Sequence, residues 1–153
     1  MNTLEQITYD AGRHALADQE MFVTGIRQRA GTLLAAHAVV ASFLGGTVLR
    51  EDRPSAFSWA ATATLVAGLI VAAVLLAPWR LRFAIDACDL YGRLQKAQLE
   101  PNPDGYLATG GFAYQMLHTQ NMSRVRRMSS LLGILTILTV AQTIFWMAAL
   151  VIN

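Results

Sequence analysis

Met128-Ser-Ser-Leu-Leu-Gly-Ile-Leu-Thr-Ile-Leu-Thr-Val-Ala-Gln-Thr-Ile-Phe-Trp-Met-Ala-Ala-Leu-Val-Ile-Asn153 contains no Asp, Glu, Lys or Arg. A hydrocarbon slab of ~30 Å needs roughly 20 apolar residues in a helix rising about 1.5 Å per residue, so this stretch is long enough to span. Working outward, Ala30–Leu49 and Pro54–Trp79 are also free of charge. Hydrophobic residues make up 54% of the 153-residue chain and charged residues 14%, against about 25% charged in a soluble domain. A hydrocarbon interior leaves open backbone groups unsatisfied, so the three stretches are expected to be helices. The expected fold is an all-α membrane protein. It has three transmembrane helices, an amphipathic N-terminal helix and a cytoplasmic helical hairpin or stalk.

The basic residues set the expected orientation. With three spans, one face takes residues 1–29 and 80–127 and carries Arg13, Arg27, Arg29, Arg80, Arg82, Arg93, Lys96, Arg124, Arg126 and Arg127. The other face carries only Arg50 and Arg53, beside Glu51 and Asp52. The positive-inside rule then predicts a multi-pass protein of the bacterial inner membrane, with its N-terminus cytoplasmic and its C-terminus extracytoplasmic. Met1–Glu20 has four acidic residues, one Arg and no apolar core, which does not read as a cleaved signal. Position 2 is not glycine and the C-terminus is not a prenylation box.

The expected organisation runs along the chain in this order. Residues 1–29 form an amphipathic helix whose stripe reads Leu4, Ile7, Ala11, Ala15, Phe22, Ile26. It runs without a break into a first span at 30–49. A short extracytoplasmic loop at 50–55 comes next, with Pro54 suited to a helix start. The second span covers 56–79, and its helical stripe continues past Pro78 to about Leu99. Glu100-Pro-Asn-Pro-Asp-Gly specifies a turn at 100–105, which makes 80–127 a helical hairpin. The next helix begins near Tyr106, is loosened at Gly110-Gly111, and enters the third span at 128–152.

Polar residues inside these spans are candidates for function or for packing. His37 lies roughly 10 Å past Ala30 at 1.5 Å per residue. Thr139 reaches a matching depth in the third span, on a stripe with Thr136 and Thr143, and Gln142 lies beside it. The first span also carries a ridge of small residues, Gly31, Ala35, Ala38, Ser42 and Gly45 or Gly46, of the kind that lets helices approach closely. Its first expected use is packing against the second or third span, and its second is packing between subunits.

The chain lacks the marks of an enzyme: no nucleophile elbow, phosphate loop, dinucleotide fingerprint or paired-carboxylate motif. Asp86 and Asp89 share a helix face without histidine or further carboxylate neighbours. Three scattered histidines and the single Cys88 predict neither a metal site nor an internal disulfide. No cofactor and no nucleic-acid partner are expected. The most notable cytoplasmic cluster is Arg124, Arg126 and Arg127 with Tyr91, Tyr106 and Tyr114. Arginine with aromatic stacking is one way to hold a nucleotide's phosphate and base, although basic residues also belong at a cytoplasmic boundary.

The segment Arg27-Gln-Arg-Ala-Gly-Thr-Leu-Leu-Ala-Ala-His-Ala-Val-Val-Ala-Ser-Phe-Leu44 resembles the start of the first membrane helix in the small transmembrane effectors of bacterial Pycsar antiphage systems. The layout is similar too: an amphipathic N-terminal helix, two close spans, a cytoplasmic helical segment, and a basic approach to the last span. That approach reads Gln120-Asn-Met-Ser-Arg-Val-Arg-Arg-Met-Ser-Ser-Leu-Leu132 here. Where the family more often has an acidic residue followed by Lys-Ala, this chain has Arg27 and then Arg29-Ala30. The resemblance implies an abortive-infection effector that oligomerises and impairs membrane integrity. Its activator would be a cyclic pyrimidine nucleotide, cUMP or cCMP, from a partner cyclase. On this reading Arg124, Arg126, Arg127, Tyr91 and Tyr114 are the expected ligand contacts. His37, Thr139 and Gln142 are the intramembrane polar set, and Gly31, Ala35, Ser42 and Gly46 the packing ridge. The alternative is a non-enzymatic scaffold or accessory subunit of another membrane complex.

Overall fold

The computed structural model describes residues 4–46, 55–84, 92 and 103–152. Among them there is no strand, and three helices account for most of the described residues. Helix α1 is Leu4–Val40 and continues into a π-helical turn, Ala41–Gly45. Helix α2 is Ala56–Leu76 and helix α3 is Pro103–Ile152. Both α2 and α3 are long and apolar enough to cross a membrane. The chain divides into two compact units, one from Met1–Thr24 with Trp79–Arg126, the other from Gly25–Pro78 with Arg127–Asn153.

The helix ends follow from local chemistry. Ser55 caps α2, its hydroxyl accepting from the Ser58 backbone N–H at 3.4 Å and lying 3.0 Å from the Ser58 hydroxyl. Such a cap satisfies one of the orphan N–H groups of the first turn, and it places the start after Pro54. At the other end the helix stops at Leu76, short of the expected 79, and does not continue through 81–84. Ala77 is extended at φ −56°, ψ 150°, the conformation that a following proline imposes. The end of the expected first span at 47–49, the loop at 50–54 and, apart from Gly92, the expected stripe beyond residue 84 lie outside the described residues. Helix α3 starts three residues earlier than expected. Pro103 takes the first helical position, where its missing N–H costs nothing, and so removes 103–105 from the expected turn.

The buried face of α1 is not the expected stripe. Leu4, Ile7 and Phe22 are exposed, whereas Gly12, Leu16, Gln19, Val23, Ile26, Ala30 and His37 are buried. From 12 to 30 these alternate by four and three, the 3.5-residue seam of helices packed at shallow angles. Glycine and glutamine at two seam positions hide the seam from an apolar count. Helix α3 repeats the spacing, with Asn121, Val125, Met128, Leu135, Gln142, Trp146 and Ala149 buried.

In the first unit α1 and α3 meet across glycines. A Cβ on Gly12 would lie 3.1 Å from the Gly111 carbonyl oxygen, and one on Gly111 3.1–3.2 Å from Thr8. One on Gly110 would touch the Tyr9 ring at 3.0 Å. The Gly110-Gly111 pair therefore does not loosen α3. It lets a second helix approach closely, and the helix runs through it unbroken. Tyr9 and Tyr114 close the contact edge to face, with ring centroids 5.5 Å apart and planes at 72°, a favoured aromatic geometry. Further along, Gln19 donates to the His118 carbonyl at 3.3 Å.

In the second unit Ala61, Trp146 and Ala149 form a core, with Val40, Leu44 and Phe145 packed on it. Gly45 makes room for the Trp146 indole, 3.2 Å from where its Cβ would lie. The outward faces are apolar as well: Phe43, Trp59, Ile70, Ile137 and Val151 are all exposed.

Overpacking a close helix contact costs about 1–3 kcal/mol, whereas Gly→Ala in an open helix position gains about 0.5–1 kcal/mol. Gly12→Val is therefore expected to lower the melting temperature in detergent. Gly25→Ala, with nothing within 4 Å of its added Cβ, is expected to hold or raise it. Equal effects of the two would refute the close approach at Gly12.

Candidate functional site

Two groups of polar side chains stand out, one in each unit. In the second unit, His37 of α1 is fully buried against Gln142 and Thr139 of α3. The imidazole Nδ1 is hydrogen-bonded to the Gln142 Oε1. The Gln142 amide N–H donates to the His37 carbonyl at 3.3 Å, and Thr139 Oγ1 lies 2.9 Å from Nε2. Helix α2 contributes Gly68, whose Cβ would fall 2.7 Å from the ring. Three helices thus meet at one imidazole, and only glycine fits at the α2 position.

Proton counting fixes the roles. The Gln142 NH2 group faces a carbonyl, so its oxygen faces Nδ1, and Nδ1 carries the ring proton. In a neutral ring Nε2 then accepts the Thr139 hydroxyl proton. That hydroxyl has one proton and a second acceptor, the Leu135 carbonyl at 2.8 Å. It gives the proton to one acceptor at a time and turns between them without moving a heavy atom. These three residues, expected at one depth, are in contact in the structure.

Of the small-residue ridge, Gly45 packs against Trp146 of α3 as first expected, but the other members do not face a neighbouring helix. Ala35, Ala38, Ser42 and Gly46 are exposed and Gly31 is half-buried. An added Cβ on Gly31 or Gly46 would meet nothing within 4 Å. The bundle side of α1 is the face of Ala30, His37 and Gly45, about a third of a turn away, so the ridge points outward.

In the first unit a cleft of about 740 Å³ is lined by Arg80, Arg82, Gln120, Asn121, Ser123 and Arg124, with Leu81. Residues 78–83 are not helical, and α3 ties them down. Asn121 donates from Nδ2 to the Arg82 carbonyl at 2.9 Å and accepts from the Arg82 N–H at 3.4 Å. The Arg124 guanidinium donates to the Arg80 carbonyl. Gln120, Asn121 and Arg124 share a face of α3 by their three- and four-residue spacing.

Of the expected ligand contacts, Arg124 alone lines this cleft. Arg126 is exposed and does not line it, because two residues along a helix turn the side chain to the far side. Arg127 belongs to the other unit. Tyr114 is engaged with Tyr9, and its phenol is pushed above its ordinary pKa, first by burial and then by the Tyr9 hydroxyl, with Arg13 opposing. It is a half-buried group packed on Tyr9 rather than a free stacking platform. Tyr91 lies outside the described residues. Arg80, Arg82 and Asn121 were missed as site residues. Their signal was the proline at 78, which ends α2 by holding Ala77 extended and leaves the segment after it to be held from α3. Among the described residues no group of three His, Cys, Asp or Glu side chains is placed to hold a metal ion.

Comparison with known proteins gives no match: no family model fits the chain, and no curated protein or solved structure is significantly similar.

Gln142→Leu strands the His37 ring N–H and removes the side-chain bond to the His37 carbonyl. A double-mutant cycle with His37→Leu is expected to give a coupling of about 0.6–1.7 kcal/mol, the range of interhelical polar contacts in bilayers. Reversible unfolding in mixed micelles measures it. Strict additivity of the two substitutions would show that the pair does not act as one unit.

Proposed function

We propose that this chain is a non-enzymatic membrane effector that crosses the inner membrane three times, through Ala30–Leu49, Ala56–Leu76 and Met128–Ile152. Its N-terminus and residues 80–127 are cytoplasmic and its C-terminus is extracytoplasmic. Supporting the crossing are the length and apolar character of α2 and α3, and the apolar outward faces of the second unit. The distribution of ten basic residues against two supports the orientation.

The observation that carries the effector reading is the outward ridge of Ala35, Ala38, Ser42 and Gly46. In lipid there is no hydrophobic driving force between helices, so association depends on close backbone packing at small residues. A ridge left unused by its own bundle serves assembly of several copies. The resemblance of residues 27–44 to Pycsar effectors supplies the trigger, a cyclic pyrimidine nucleotide made during phage infection, and the outcome, loss of membrane integrity. For such a trigger to act, it must bind the assembled state more tightly than the resting one.

A ligand at 100 times its dissociation constant adds about 2.7 kcal/mol to the native state. Thermal-shift measurements on the detergent-solubilised protein are therefore expected to show a rise with a cyclic pyrimidine mononucleotide and none with linear nucleotides. No rise with any cyclic mononucleotide would favour a scaffold subunit instead.

A further inference from the structure

We propose that the cleft formed by Arg80, Arg82 and Arg124 is a binding site for a phosphodiester anion. Three arginines line the cleft, and no carboxylate does so among the described residues. A cleft lined by charge of one sign favours a bound ion of the other.

The site is also preorganised. The Arg124 guanidinium is held by the Arg80 carbonyl, and a planar fork with one N–H engaged still has four to offer. Arg82 is fixed through its backbone, which Asn121 grips at both N–H and C=O, so its exposed side chain is free to turn to a ligand. Guanidinium groups match the oxygen spacing of phosphate and bind it through paired hydrogen bonds. Gln120 and Ser123 add neutral donors on the same wall. Half-buried Leu81 offers apolar surface for whatever the phosphate carries, and about 740 Å³ exceeds what a bare phosphate ion needs.

Two sources share this chemistry: the headgroup of an anionic lipid, and a soluble cyclic mononucleotide. Arg80 lies four residues past the end of α2 in the chain and follows Trp79, a pairing common at membrane boundaries. The lipid arm rests only on the chain's being membrane-spanning. The nucleotide arm rests on the effector reading above.

The full chain is reconstituted in two kinds of nanodisc, phosphatidylcholine alone and equal parts phosphatidylcholine and phosphatidylglycerol. Binding is read as thermal stabilisation across a titration. Soluble cyclic mononucleotides are titrated into the first kind. The variants are Arg82→Gln, Arg124→Gln and, outside the cleft, Arg126→Gln. Stabilisation of the wild type is expected with at least one phosphodiester, together with a roughly tenfold or greater loss of apparent affinity in Arg82→Gln, as befits loss of a charged hydrogen bond. Arg126→Gln is expected to match the wild type. Because Asn121 holds Arg82 through its backbone, Arg82→Gln remains decisive even where Arg124→Gln does not fold. Stabilisation by phosphatidylglycerol alone supports the cleft and removes the nucleotide from it. Nucleotide binding that Arg82→Gln leaves intact overturns the cleft while sparing the effector reading. Equal losses in Arg82→Gln and Arg126→Gln, or no stabilisation by either phosphodiester, also overturn the cleft.

Discussion

The hydrogen bonds between His37 and Gln142 are the constraint on which the second unit depends. A buried polar group without a partner costs more than a typical contact returns. Gln142 answers two groups of one residue, the ring nitrogen and the backbone carbonyl, and Thr139 answers the third. A slide of α1 past α3 by one residue would break all of these contacts and strand the buried imidazole. Apolar seam positions such as Met128 and Leu135 tolerate small shifts, because dispersion contacts are not directional. The polar cluster does not, so it sets the register that the apolar seam then fills. Gly68 completes the arrangement, since the ring occupies the space that any side chain on that face of α2 would need.

The first unit is built on a different principle. Its helices approach through Gly12, Gly110 and Gly111, so backbone lies near backbone and side chains such as Tyr9 and Tyr114 pack beside the contact. The polar side chains of α3 are then spent on tying down the non-helical segment after Pro78. Asn121 sits at a seam position and serves both ends, buried like a core residue and bonded like a loop anchor. Arg124, one turn later, extends the tie and carries its charge into the cleft.

The helical class was legible because charge-free stretches leave the backbone few options. Helices α2 and α3 followed from length and composition alone. The grouping of His37, Thr139 and Gln142 was legible because rise per residue converts position into depth, and polar groups at one depth seek one another. The seam of α1 was not legible, since Gly12 and Gln19 carry no apolar signal while the outward Ile7 and Phe22 do. The direction of the small-residue ridge was hidden for a related reason. A ridge of Gly, Ala and Ser suits an intramolecular or an intermolecular contact equally, and only the position of His37 on the other face decides between them. The cleft was missed because Arg124 is distant in sequence from Arg80 and Arg82, and they line one cleft only when α2 ends before Pro78 and Asn121 captures the backbone of Arg82.

In the proposed three-span topology the part of α1 carrying His37 crosses the bilayer alongside α3. The most direct test is the labelling of single cysteines by a membrane-impermeant maleimide, in a Cys88→Ser background. Asp52→Cys is predicted to label in intact spheroplasts, and Asp10→Cys and Ser123→Cys only after lysis. Labelling of Asp10→Cys and Asp52→Cys on the same side would contradict the crossing, and with it the proposed three-span effector.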